Sequence, residues 1–339
     1  TDIAIDRVSS TSENTLSTTV YARQNRPDVR GQIGAVSAGH PLAAQAGLRV
    51  LQDGGNATDA IIAMAGVLAV VRPHMNGIGG DAFGIFYDGE TGEVTALNAS
   101  GRSGALATPE FFAAANVERI PGIGPMSVSV PGAVAGWVDA HERYGSMDFA
   151  SLLSTGIEYA RNGFAVSTRL AQDFEEQGGN LNEAGRDLYL PNAIAPPVGS
   201  LLRNPQLANS LEIVADEGKE GFYNGSIAQK LSAFITEQGG YLRQDDFESH
   251  TSSWVTPLRG EYLNHVFVVM PPNTQGITQL ALFEMAKSHE LNLKEQNSAD
   301  YLHTLVELKK LAFADRDRWV ADPEHANVPV EQLLDVNYL

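Results

Sequence analysis

Arg102 is the residue whose type and setting point most directly at chemistry. It lies in LNASGRSGALATPEFF, between Gly101 and Gly104 and just past a β-like run. A guanidinium there presents a fork that holds a carboxylate through two parallel hydrogen bonds. Taken alone the signal is modest, because most surface arginines meet water or a neighbouring acid. A second candidate is Ser37 in AVSAG (35–39), close to a nucleophile elbow with Ala35 in place of the first glycine. Joined by a later Asp and His it would make a serine hydrolase. No one histidine among the eight stands out for that role, so an ordinary strand-to-helix turn accounts for the segment better. The third is GIGGDA (77–82), which formally fits a dinucleotide fingerprint and ends on Asp81. That fingerprint needs a strand before the glycines and a helix after them. Here the order is reversed, so glycines chosen for a tightly packed corner are the better reading.

Other chemistries fall away. The chain of 339 residues has no cysteine, which removes disulfides, thiolate metal sites and cysteine nucleophiles. Its histidines form no H-x-x-x-H pair, and DRDRWVAD lacks the glycine and terminal glutamate of a calcium loop. No metal or other cofactor is expected. Against 41 acidic residues stand only 23 Lys and Arg, a net charge of -18 that repels phosphate backbones and argues against nucleic acid. The longest apolar run, AIIAMAGVLAVV (60–71), is too short to span a bilayer, so no membrane partner is expected. A start at Thr1 rather than Met suggests trimming, with a periplasmic or secreted location expected and the cytoplasm as the alternative.

The elements that must carry these residues alternate in type. Residues 1–30 are polar and read as an extended arm, and 31–339 as one mixed α and β domain. QIGAVSAG (32–39) reads as a buried strand. A helix opens at Pro41 and stops at Gly54-Gly55, and a second, capped by Asn56, is apolar all round and therefore central. AFGIFYD and EVTALNAS form a hairpin through GETG, helices follow at 131–145 and 149–163, and two strands lie within 254–272. Further helices are expected at 205–217, 226–238, 276–290 and 298–320, with Ser226 and Ser298 as caps.

In order along the chain, GAVSAGHPLAAQAGLRVLQDGGNATDAIIA, VVRPHMNGIGGDAFGIFYD, LNASGRSGALAT, VSVPGAVAGWVDAHERYG, MPPNTQGI and LHTLVELKKLAFADRDRWVADPEHANVPVEQLL resemble the large subunit of the γ-glutamyltranspeptidase family. The resemblance implies a four-layer αββα sandwich of the N-terminal-nucleophile hydrolase type, completed by a small subunit cut from the same precursor. That subunit's N-terminal Thr would be nucleophile and, through its α-amine, base, so no catalytic residue is expected in this chain. By position Arg102 matches the family arginine that binds the substrate carboxylate, and Asp81 falls beside the same site. Two departures bear on the substrate. Glutathione-type members carry glycine at Asp81 and an acid at Ser103, whereas acylases and amidohydrolases share the GGD and SGR patterns. The expected activity is transfer or hydrolysis of a γ-glutamyl or similar carboxylated acyl group. The alternatives are an amidohydrolase of another carboxylated amide, a Ser37 hydrolase, or a non-catalytic binding protein.

Overall fold

Pro41 opens the first helix as its fixed φ suits it to do, and the side chain of His40 accepts from Leu42 N at 3.2 Å to cap it, in the computed structural model, which describes residues 29–339. The arm expected over residues 1–30 falls almost wholly outside the described residues. In chain order the elements begin α1 (Pro41–Gln52), α2 (Ala57–Val71), β1 (Ala82–Tyr87), β2 (Val94–Ala99), α3 (Pro109–Ala114), α4 (Ala133–Tyr144) and α5 (Phe149–Asn162). There follow β3 (Phe164–Ala165), α6 (Thr168–Gln177), α7 (Glu183–Tyr189), β4 (Leu201–Leu202), α8 (Pro205–Lys219), α9 (Ser226–Glu237) and α10 (Gln244–Glu248). The last are β5 (Ser253–Val255), β6 (Leu258–Tyr262), β7 (His265–Val269), α11 (Gly276–Ser288), α12 (Ala299–Trp319) and α13 (Val330–Leu333).

Helix α2 is the centre of the core, as its all-round apolar sequence requires, and packs on α1, α4 and α5. A Cβ on Gly156 of α5 would stand 2.7 Å from the Gly66 carbonyl oxygen of α2, so the two backbones touch and leave no room for alanine. The N-terminus of α2 is tied down by a capping box. Asn56 accepts from Thr58 N and Asp59 N, while Asp59 accepts from Asn56 N at 2.9 Å. The fully buried Asp59 carboxylate also accepts from Ser146 N at 3.0 Å and Ser146 Oγ at 2.5 Å, joining α2 to the loop between α4 and α5. Burial alone would raise its pKa. The hydrogen bonds from Ser146, Asn56 and Met147 outweigh that and hold the carboxyl below its ordinary value.

Asp59→Ala should therefore cost about 3 kcal/mol or more of unfolding free energy, since several buried donors lose their acceptor together. Because the folded pKa is depressed, this contribution is full above the ordinary carboxylate range and is lost as pH falls through the lower, folded value. Urea unfolding at neutral pH and in acid checks both points. The wild type should lose its advantage over the variant in acid, and an equal gap at both pH values would contradict the assignment.

Strands β1 and β2 form the expected hairpin, in register from Ala82↔Ala99 to Tyr87↔Val94, and β5 pairs antiparallel to β2 with Asn98↔Ser253. The sheet order β1-β2-β5 brings the approach to β5 beside the end of β2. One face lies on α4, where Gly136 leaves room for Ala82 and Ala99. The other face leaves Phe83, Ile85 and Tyr87 exposed. Residues 254–272 hold the tail of β5 and the β6–β7 hairpin, one strand more than expected, because Leu263 and Asn264 at φ 48° and 62° make a tight turn between β6 and β7.

Two expectations fail. Residues 32–39 are irregular, with Ile33 86% exposed. A short apolar run becomes a strand only beside another strand, and none pairs with it among the described residues. Helix α9 is preceded by Gly225, with no side-chain cap from Ser226, whereas Ser298 does cap α12 by accepting from Tyr301 N.

Candidate functional site

The chain leaves β2 through Ser100–Gly104, a segment pinned from several sides. Gly101 N donates to Asp81 Oδ1 at 2.8 Å, Val130 N to Arg102 O at 2.9 Å, and Ala105 N to Asp246 Oδ1 at 2.8 Å. A Cβ on Gly101 would overlap the Val130 carbonyl, and one on Gly104 would stand 2.7 Å from Asp246 Oδ2. The glycines on either side of Arg102 are thus required by close approach. The segment has one shape, and it carries the Arg102 side chain outward.

Two residues distant in sequence meet that guanidinium. Nε and Nη2 donate to Glu324 Oε2 and Oε1 at 3.3 and 2.8 Å, a bidentate pair, and Nη1 donates to Thr251 O at 2.9 Å. The Arg102 and Glu324 side chains are 41% and 55% exposed, so the pair contributes about 1 kcal/mol or less to the fold. The Arg102 hydrogen bonds and charge hold the Glu324 carboxyl below its ordinary range. Glu324 sits in a turn after α12, where its N–H donates to Asp322 Oδ1 at 2.9 Å.

Around them is a cavity of about 110 Å³ whose lining includes Asn98, Arg102, Thr251, Asn273, Asp322 and Glu324. It is roomy enough for a charged head group of a few heavy atoms, since one water occupies about 30 Å³. Asn98 Nδ2 donates to Asn273 Oδ1 at 2.8 Å, and Asn273 Nδ2 donates to Ser100 Oγ at 3.0 Å, which fixes the amides of that wall. Behind Thr251, the His250 ring stacks on Tyr223 at 5.2 Å, with both ring nitrogens buried and without a hydrogen-bond partner. Burial first, then the charge of Arg102, lower its pKa, so His250 is neutral at pH 7.

Asp81 does not line this cavity. It stands at the end of an open hollow formed by Pro73–Gly77, Gly79 and Gly80, and acts on the Arg102 segment through Gly101 N. The glycines of that turn differ from the packed corner expected. A Cβ on Gly79 or Gly80 would meet nothing within 4 Å, and neither has positive φ. What the turn supplies is a carbonyl: Gly80 O accepts from Gly132 N and Ala133 N at 2.9 and 2.8 Å, at the start of α4. No helix N-terminus follows the glycines, so the dinucleotide reading has no structural support. His74, at the other end of the turn, lies 2.8 Å from the buried Asp173 Oδ2, though the two are not aligned as a hydrogen bond. Among the described residues, Asp322, Glu324 and His325 alone are grouped closely enough to hold a metal. All are at least partly exposed, and both Glu324 oxygens are already engaged by Arg102.

The γ-glutamyltranspeptidase family model matches residues 43–339. The chain belongs to the γ-glutamyltranspeptidase family. It is 36% identical over 301 residues to a glutathione hydrolase-like YwrD proenzyme of Bacillus subtilis, covering 88% of this chain and 57% of that protein. It is 35% identical over 309 residues to an oxamate amidohydrolase proenzyme of Klebsiella pneumoniae, covering 89% and 58%. The solved γ-glutamyltranspeptidase of Helicobacter pylori superposes with a TM-score of 0.86 at 28% identity, over 92% of this chain and 91% of that one. The mixed α/β fold is thus that of the γ-glutamyltranspeptidases, and the chain spans somewhat more than half the length of the curated relatives it matches. In this family member Ser37 stands exposed in irregular chain ahead of α1. Among the described residues no histidine shares a hydrogen bond with a serine or threonine hydroxyl. The serine-hydrolase alternative therefore has no support.

Proposed function

We propose that this chain is the large-subunit part, over 31–339, of a self-processing enzyme that hydrolyses or transfers the acyl group of a carboxylated amide, γ-glutamyl amides such as glutathione first. The partner is the small subunit of the same precursor, whose N-terminal Thr carries the chemistry. Its hydroxyl oxygen attacks the amide carbonyl while its α-amine takes the proton and hands it to the departing amine. Water or an acceptor amine then breaks the resulting ester. Arg102 holds the acyl donor's carboxylate, and Asp81 positions Arg102. Proenzyme relatives of which this chain spans somewhat more than half support the precursor, and the uncovered Phe83, Ile85 and Tyr87 face of β1 suits burial by the rest of it.

The observation that carries the reading is the Arg102 fork, held outward over a small polar cavity and already donating to a carboxylate in bidentate geometry. The test is to assay the complete enzyme on γ-glutamyl, shorter carboxylated and uncharged amides of one chromogenic amine. Carboxylated donors should be turned over and uncharged ones rejected; equal rates would contradict the reading. Asp81, Ser103 and the oxamate amidohydrolase relative favour a second reading, an amidohydrolase of a shorter carboxylated acyl group, and the same panel ranks the two.

Asp81 has its own expected result. Asp81→Gly frees Gly101 N and lets the Arg102 segment shift, so kcat/KM should fall about fivefold by the same factor for every carboxylated donor. Asp81→Asn keeps an acceptor and should retain most activity. A change in the ranking of donors instead would place Asp81 in the acyl pocket.

A further inference from the structure

Three Asn–Gly pairs occur in the chain, at 76–77, 162–163 and 224–225. In such a pair the glycine nitrogen can attack the asparagine carboxamide, because glycine puts no Cβ in the way and leaves the backbone free to turn. Whether it does so depends on what else holds the two groups.

At two of the pairs they are held. Gly163 N donates to Tyr159 O at 3.0 Å at the end of α5, so the attacking atom is engaged. Asn224 Nδ2 donates to Glu220 Oε2 at 2.6 Å, and a Cβ on Gly225 would stand 2.5 Å from Gly221 O. Asn76 and Gly77 differ on every count. They lie in irregular chain between α2 and β1, on the wall of the open hollow, with Asn76 exposed. Among the described residues the Asn76 carboxamide has no hydrogen-bond partner and Gly77 N donates to none. A Cβ on Gly77 would meet nothing closer than Gly79 N at 3.8 Å, so the pair has room to move.

We propose that Asn76–Gly77 is a site of spontaneous deamidation whose conversion sets a slow, irreversible loss of activity in the complete enzyme. Gly77 N bonds to Asn76 Cγ, the Cγ–Nδ2 bond breaks, and Nδ2 leaves as ammonia with the proton that Gly77 N gives up. Water then opens the cyclic imide. Cleavage at Cγ leaves aspartate, and cleavage at the Asn76 main-chain carbonyl leaves isoaspartate, with the chain running through the side chain. No reagent but water is consumed.

Isoaspartate lengthens the backbone by one atom between two fixed points. Asn76 N donates to Arg72 O at 3.0 Å on one side, and Gly80 O accepts from Gly132 N and Ala133 N at 2.9 and 2.8 Å on the other. The next residue is Asp81, which accepts from Gly101 N at 2.8 Å. The added length is taken up beside that link, so the Arg102 segment shifts. This consequence, unlike the chemistry, rests on the reading in which Asp81 positions Arg102.

The test holds the complete, processed enzyme at mildly acidic and mildly alkaline pH and samples it over days for peptide masses and for the rate on the amide it turns over best. The peptide containing Asn76 should gain the mass of an amide-to-acid exchange, with isoaspartate detected by isoaspartyl methyltransferase labelling. The gain should be faster at alkaline pH, since the attacking nitrogen must shed its proton. Activity should fall in step with the isoaspartate fraction, while the peptides containing Asn162 and Asn224 keep their masses. Asn76→Gln, which must close a larger ring, and Gly77→Ala, which crowds the nitrogen, should start at wild-type activity and lose it several-fold more slowly. No mass gain at Asn76, or equal gains at all three pairs, would overturn the site. Conversion with activity unchanged, or loss at the wild-type rate in both variants, would overturn its effect on the enzyme. Arg102→Ala should deamidate as the wild type does, so its activity tests the carboxylate reading separately.

Discussion

Replacing Arg102 by alanine in the complete enzyme should lower kcat/KM for a carboxylated amide by about tenfold to a hundredfold and leave thermal stability nearly unchanged. The two effects separate because the side chain has two kinds of contact. Its bond to Glu324 is half exposed, so on truncation Glu324 returns to water at small cost. Its proposed bond to the substrate is charge-assisted, bidentate and formed in a small polar cavity, worth about 1.5–3 kcal/mol. Loss of the anchor also lets the scissile amide drift from the nucleophile, so kcat should fall along with the rise in KM. Arg102→Lys should recover little, since an ammonium has no fork to share between Glu324 and the ligand. A fall in stability that matched the fall in activity would mean that the residue holds the fold and not the substrate.

The second large effect belongs to the proposed Thr of the small subunit. Changing it to alanine in the full-length precursor should leave the chain uncut and reduce activity by about a thousandfold or more, because one hydroxyl serves both reactions. Within the described residues of this chain the hydroxyls that could compete are otherwise engaged or unpaired with any base. Ser252 hydrogen-bonds Asp139, which also holds Lys219, and Ser146 hydrogen-bonds Asp59. Serine in place of that threonine should retain some of both activities, because it keeps the hydroxyl. Full activity in the alanine variant would contradict the assignment.

What the sequence made legible was local. Pro41, Asn56 and the glycines after Gln52 set the ends of α1 and α2 through backbone geometry and caps, each acting over three or four residues. The β1–β2 hairpin announced itself through alternating side chains and a glycine turn, with Gly92 at φ 73°. Arg102 stood out because flanking glycines free the backbone around it. Its partners did not, because Thr251 and Glu324 are brought in by the pairing of β5 with β2 and by the turn after α12, and neither leaves a mark near residue 102. The 32–39 run and the glycines at 77–80 misled for a related reason. Apolar residues between glycines look alike whether a neighbouring strand covers them or not, and a glycine needed for packing looks like one that faces open space. The short polar helices α6 and α7 went unassigned because their stability comes from caps such as Ser167 and Asn182 and from tertiary contacts rather than a long apolar stripe.

The central claim is that this chain supplies the carboxylate site while a second polypeptide of the same precursor supplies the nucleophile. Its most direct test is mass spectrometry of the complete enzyme, quenched in acid moments after mixing with a carboxylated amide. Two polypeptides in equal amount are expected, the smaller beginning with Thr and carrying on that residue the mass of the acyl group, with the adduct forming more slowly when Arg102 is alanine. An active preparation consisting of one uncut chain, or an acyl group found on Ser37 or any other residue of this chain, would contradict it.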